Sequence, residues 1–132
     1  PLWSDANSTS VSLDQPADQR TILDWIKAFN FSEDVSEFNG ETADVIGFVY
    51  NDNRLGATQI FIGRLTITCC AADAFAIGMV VESEIVEAFE ENDWIHVRGT
   101  ISSIEVGGRL IPLIQAESIK MTEAPPQPYL FP

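Results

Sequence analysis

Apolar positions along the chain change their spacing once, and that change divides it into a helical and a β part. Ile22, Trp25, Ile26 and Phe29 fall at i, i+3, i+4 and i+7, which puts them on one face of a helix. Thr21 with Asp24 three residues on matches the capping box that opens such a helix. An apolar stripe of this kind packs into a core far more often than it meets a partner. From Thr42 the period drops to two, the signature of strands with one buried face.

Five strands are expected. Thr42 to Tyr50 is the first, followed by a turn at Asn51-Asp52-Asn53-Arg54-Leu55-Gly56. That turn is not a calcium loop: it lacks acidic ligands at alternate positions, and Ile62 stands where the closing Glu should be. Ile60 to Thr68 is the second strand. Phe61, Leu65, Ile67 and Cys69 lie on one of its faces, and Ile60, Ile62, Arg64, Thr66 and Thr68 on the other. Ala76 to Glu82 is the third, joined by a short, helical Ser83 to Glu91 connection to a fourth from Trp94 to Val106. In the fourth, Ile95, Val97 and Ile101 face in, and Trp94, His96 and Arg98 face out. Gly107-Gly108 is a two-residue hairpin signal leading into the fifth, Arg109 to Met121, where Pro112 marks a sheet edge.

The resulting expectation is a mainly β chain: a five-stranded OB-like barrel preceded by one N-terminal helix. Residues 1–20, rich in Ser, Asp and Gln, read as a flexible arm, 21–124 as the domain and 125–132 as a Pro-rich extended tail. The PxxP spacing of that tail would suit an aromatic groove, but a Tyr129-Leu130-Phe131 run more often folds back over its own core.

Charge narrows the partners. Seven Lys+Arg against twenty Asp+Glu in 132 residues give a formal net charge of -13. Such a balance repels phosphate backbones, because nucleic-acid affinity rests on cationic side chains that release counterions. Trp94 beside Arg98 is the one pair that would suit a stacked base, and it does not outweigh the net charge. Anionic lipid surfaces are disfavoured on the same ground. No window holds the roughly 18 apolar residues of a membrane span, and Pro1 in place of Met suggests that something upstream has been removed, so the chain reads as a soluble piece.

The one dense constellation of reactive groups is Cys69-Cys70-Ala71-Ala72-Asp73, after the second strand. Thiolates bind zinc and other soft transition metals, and a carboxylate completes the charge. Neighbouring strand residues point to opposite faces, so Cys69 and Cys70 reach one ion only if the chain turns between them. His96 is the sole histidine and the natural further ligand; Glu82 and Glu84 are additional oxygen donors. Without a CxxC or a second Cys/His pair, a closed structural zinc site is disfavoured. The alternatives are that both cysteines simply pack, or that they carry thiol redox chemistry, through a reactive thiolate or a strained vicinal disulfide. Adjacent cysteines cannot form an ordinary disulfide framework. Catalysis by Cys-His or Ser-His-Asp would have to use His96, with no second base in sight.

A family resemblance runs through Val45-Ile46-Gly47-Phe48-Val49-Tyr50, Gly63-Arg64, Ile67-Thr68-Cys69-Cys70-Ala71-Ala72-Asp73-Ala74, Trp94-Ile95-His96-Val97-Arg98-Gly99-Thr100 and Pro128-Tyr129-Leu130. Over about residues 20 to 132 the chain resembles the C-terminal domain of the YcgQ-like bacterial membrane proteins. That resemblance implies hydrophobic N-terminal helices absent from this chain, and a neighbouring permease as partner. Some relatives place His where Cys69 stands, as an exchange of one metal ligand for another would explain. The expectation is therefore a non-catalytic soluble accessory domain of a membrane-anchored bacterial protein, on the outer side of the cell membrane and working with a permease. Metal handling through Cys69, Cys70, Asp73 and His96 would be its chemistry, zinc or another soft transition metal its cofactor. The alternatives are a thiol redox protein or enzyme using the two cysteines, and an OB-type ligand-binding module without chemistry.

Overall fold

The computed structural model describes residues 16–67 and 74–131. Helix α1 spans Ile22–Phe31. The strands are β1 (Thr42–Tyr50), β2 (Gln59–Thr66), β3 (Phe75–Glu82), β4 (Trp94–Val106), β5 (Arg109–Met121) and β6 (Tyr129–Leu130). Single 3-10 turns occupy Ala17–Gln19, Val35–Phe38 and Val86–Ala88. The bounds of β1, β4 and β5 are those that the alternation predicts. The connection expected to be helical reduces to the Val86–Ala88 turn, too short to close an α-helical ladder.

Strand order is β1-β4-β5-β3-β2-β6, and an added β1–β2 pairing turns the first five strands into a ring. Four of the five junctions are antiparallel; β3 and β5 run parallel and meet only at Val80↔Leu113, Val81↔Ile114 and Glu82↔Gln115. The β1–β2 junction is equally short, from Phe48↔Gly63 to Tyr50↔Phe61. The longest seam joins β4 to β5, whose two-residue turn needs positive φ at Gly107 and Gly108 (59° and 81°). The sixth strand, β6, is the tail folded back: it runs parallel to β2 at Leu65↔Tyr129 and Thr66↔Leu130. Pro112 lies just before the β3–β5 ladder begins, on a stretch of β5 paired only with β4, so its missing N–H breaks no ladder bond toward β3.

Inside the ring stand Val45, Val49, Ile62, Val81, Ile95, Val97, Ile101 and Ile114, the inward residues of their alternating strands. Helix α1 stoppers this core with Ile22, Trp25 and Phe29. Its capping box forms as the sequence pattern predicts: the Asp24 N–H donates to Thr21 Oγ1 (3.2 Å) and the Thr21 N–H to Asp24 Oδ2 (3.0 Å). Trp25 is fully buried, stacked on Phe29 at 5.6 Å and edge-on to Phe38 at 6.1 Å. Burying each such side chain stabilises by roughly 1.5–3 kcal/mol, which is why the helix is held by its apolar face more than by its ten residues of propensity. The packed unit begins ahead of the helix: Arg20 lies 4.6 Å above the Trp25 ring and bonds Glu41 at 3.1 Å.

The β1–β2 turn is organised by one carboxylate. Asp52 Oδ1 accepts from the Arg54 N–H and Nε, both at 2.9 Å, and Oδ2 accepts from Nη2 at 2.6 Å. These bonds hold the Asp52 carboxyl at about 2. A depressed carboxyl pKa adds stability above the unfolded value of about 3.9, and that contribution is lost as the pH falls toward about 2. An NMR titration should place the Asp52 midpoint near 2, and Arg54→Ala should return it toward about 3.9; an unmoved midpoint would remove Arg54 from this role.

Candidate functional site

Alternation turns Asp44, Ile46, Phe48 and Tyr50 of β1 and Trp94, His96 and Arg98 of β4 to the outside of the ring. Register then decides what meets: Asp44 stands opposite Arg98, Ile46 opposite His96 and Phe48 opposite Trp94. Asp44 therefore has a direct cross-strand partner and a diagonal one. Its Oδ2 accepts from Arg98 Nη1 at 2.9 Å, and its Oδ1 is bonded to His96 Nε2. An ionised carboxylate can only accept, so Nε2 carries the proton and Nδ1 is the histidine's remaining nitrogen. His96 and Arg98 are half-exposed, and Asp44 between them is more buried.

Beside them, Arg64 departs from what an inward strand residue should be. It shares a face with Ile62 and Thr66 and is only 6 % exposed. The β1–β2 ladder has ended one residue earlier, at Phe48↔Gly63, so the guanidinium enters the gap between the parting strands. There Nη1 donates to the Ile46 carbonyl (3.4 Å), Nε to that of Pro128 (3.2 Å) and Nη2 to that of Gln127 (3.3 Å). The Trp94 ring covers it at 5.5 Å. Among the described residues no carboxylate pairs with it; burial pulls its pKa below the ordinary arginine value, yet arginine stays charged. Carbonyl dipoles and an indole face thus hold the charge in place of an anion. Arg20, Arg64, Asp44 and His96 border a common cavity of about 290 Å³.

An aromatic row continues from Trp94 across the outer face. Phe48 lies edge-on to Trp94 at 5.6 Å, Tyr50 follows at 6.1 Å, and Tyr50 stacks on Phe61 at 4.8 Å. The Tyr50 ring lies over Gly63 and Gly78, paired across β2 and β3; a Cβ at Gly63 would sit 2.7 Å from Tyr50 Cε1. Burial, and then the Asp52 charge, raise the Tyr50 phenol pKa.

Of the residues that the sequence nominates, Cys69, Cys70 and Asp73 lie outside the described residues, in the stretch that joins β2 to β3. The ends of that stretch are held: Thr66 pairs with Phe75, and the Ile67 N–H donates to the Leu130 carbonyl at 3.1 Å. Glu82 ends β3, seven steps or roughly 23 Å of strand from Phe75, where it accepts from Gln59 Nε2 (3.1 Å) and Gln115 Nε2 (3.0 Å). Glu84 follows it at that same end. Among the described residues no three His, Cys, Asp or Glu side chains gather as a metal site. The Trp94–Arg98 pair that the sequence set aside does not form: the cation over Trp94 is Arg64, and Arg98 bonds Asp44.

Asp44 and Arg64 are the residues that sequence reasoning missed. Each had a faint signal, an acid on the outward side of an apolar strand and a cation on the inward side of another. Removing the Arg64 charge while keeping its stem, as in Arg64→Met, should release the tail. The Ile67 amide should then exchange about tenfold faster or more, since hydrogen bonds from charged groups contribute about 1.5–3 kcal/mol each. Unchanged exchange would mean that strand pairing alone holds β6.

Residues 18–132 match the family model described as the DUF1980 C-terminal domain. The chain is similar to the UPF0703 protein YcgQ of Bacillus subtilis, 30% identical over 97 residues that make up 72% of this chain and 34% of that protein. It is also similar to a Streptococcus mutans protein named "Putative two-component membrane permease complex subunit", 28% identical over 98 residues, 72% of this chain and 35% of that protein. The chain spans about a third of the length of these curated relatives.

Proposed function

Because the chain belongs to the DUF1980 C-terminal domain family, we propose that it is the soluble accessory domain of a membrane permease complex, an OB-like barrel on the outer side of the cell membrane. The observation that carries this reading is the name of the Streptococcus mutans relative, a subunit of such a complex. The five-membered ring with a helix stoppering its core supports the OB-like description. The formal net charge of -13 suits an aqueous domain that keeps clear of anionic lipid, leaving attachment to the partner or to other segments. Among the described residues no helix is long and apolar enough to cross a membrane.

The protein that carries this domain, purified from detergent-solubilised membranes, should elute with a polytopic permease subunit in fixed ratio, and protease added to intact cells should cleave it. Elution without a membrane partner would overturn the reading.

A second reading assigns metal handling to Cys69, Cys70, Asp73 and His96. The Asp44–His96 bond favours it, because a carboxylate holding one ring nitrogen orients the other toward an ion, as supporting carboxylates do at metal centres. Protein prepared without chelator or metal resin should then hold zinc or another soft metal in near-stoichiometric amount, lost in Cys69→Ser and in Cys70→Ser. No metal and no uptake by the unsubstituted protein would overturn this reading and leave the first intact.

A further inference from the structure

The ring is open on one side. β3 and β5 run together only from Val80 and Leu113 onward; before that point they part. Phe75 to Met79 then have only β2 as a ladder partner, and Arg109 to Pro112 only β4. Among the described residues no other backbone bonds to either stretch. The space between them is a cleft of about 680 Å³, floored by Ile26 and Phe29 of α1 and bordered by Gly78, Met79, Leu110 and Ile111.

The two lips differ in what they offer. Pro112 removes one N–H from the β5 lip, a common way of blunting an edge. The β3 lip reads Phe75-Ala76-Ile77-Gly78-Met79, without proline, lysine or any charge. An unblunted edge of this kind is the surface on which an extended chain adds itself as a strand. Apolar side chains stand ready beside it: Phe75 is 52 % exposed and Leu110 45 %.

Part of the cleft's border is acidic. Glu33 and Asp34 border it, directly after the last turn of α1, which carries no basic residue to offset its carbonyl end. Bonds from the Ser36 hydroxyl and N–H hold the Asp34 carboxyl below its ordinary range, so it stays ionised. Arg109 is the cation on the β5 lip and has no acidic partner within salt-bridge distance among the described residues.

From this arrangement we infer that the cleft between β3 and β5 receives an extended peptide segment of a partner protein, added as a strand along Phe75–Met79, with alternate apolar side chains over the α1 floor and a Lys or Arg against Glu33 and Asp34. The inference concerns the chemistry of the occupant and stands whether or not the partner is a permease.

The test uses the whole chain and an acetylated, amidated peptide, Lys-Val-Thr-Ile-Ser-Val, with a Glu-for-Lys version as control. Amide exchange followed by NMR should slow within Phe75–Met79 on adding the Lys peptide and stay unchanged on the outer face of β1 and β4. Glu33→Lys, at an exposed position that makes no side-chain hydrogen bond among the described residues, should weaken binding by up to about fivefold, as loss of a surface charge pair does. Leu110→Asp, also at the surface, should weaken it further. Three outcomes would overturn the inference. One is exchange that the peptide leaves unchanged. Another is protection of these amides in the protein alone that rises with protein concentration, as pairing with a second copy would give. The third is protection in the protein alone that vanishes when residues 1–15 are deleted, since the chain would then fill its own cleft.

Discussion

A buried guanidinium that meets no carboxylate among the described residues stands where β1 and β2 part, and much of the outer face depends on it. Leaving a charge unpaired in an interior is among the costliest things a fold can do. Here the cost is offset by three carbonyls drawn from Ile46, Gln127 and Pro128 and by the face of Trp94. One side chain therefore ties β1, β2, β4 and the tail together. Replaced by an aliphatic residue, it would leave a gap in the wall; replaced by an acid, it would face three carbonyl oxygens. Arg98 and His96 are held separately, both on the Asp44 carboxylate.

What the sequence revealed, it revealed through local periodicity. The Thr21/Asp24 box, the Ile22-Trp25-Phe29 stripe and the alternation of β1, β4 and β5 each lie within one element, and each appears as read. β6 was too short to announce itself: two residues cannot show a period, and Tyr129-Leu130 is a strand only because β2 lies beside it. The Asp44–His96–Arg98 group was illegible for a related reason. It depends on a register between strands some fifty residues apart in sequence, which no single segment contains. The cysteine motif pointed to chemistry; its residues lie outside the described ones, and Glu82 and Glu84 stand at the end of β3 away from Phe75.

Histidine and tryptophan show how the site's character changes once neighbours are known. Read alone, His96 is a metal ligand in waiting and Trp94 a stacking platform. In the fold each is engaged, His96 by an acid and Trp94 by a buried cation. What remains available is narrower: one imidazole nitrogen, and an aromatic row in which Tyr50 rests on two glycines.

The parallel β3–β5 seam bears on how the chain folds. It joins Val80–Glu82 to Leu113–Gln115 across a long stretch of sequence, whereas the β4–β5 hairpin closes over only two glycines. Loop-closure entropy favours the local hairpin first, so this seam closes after it. Until it does, the edge of β3 is exposed along its whole length, uncharged from Phe75 to Val81. During synthesis that edge is where half-folded copies would stick together, and every newly made chain passes through a stage in which speed of closure protects it from aggregation.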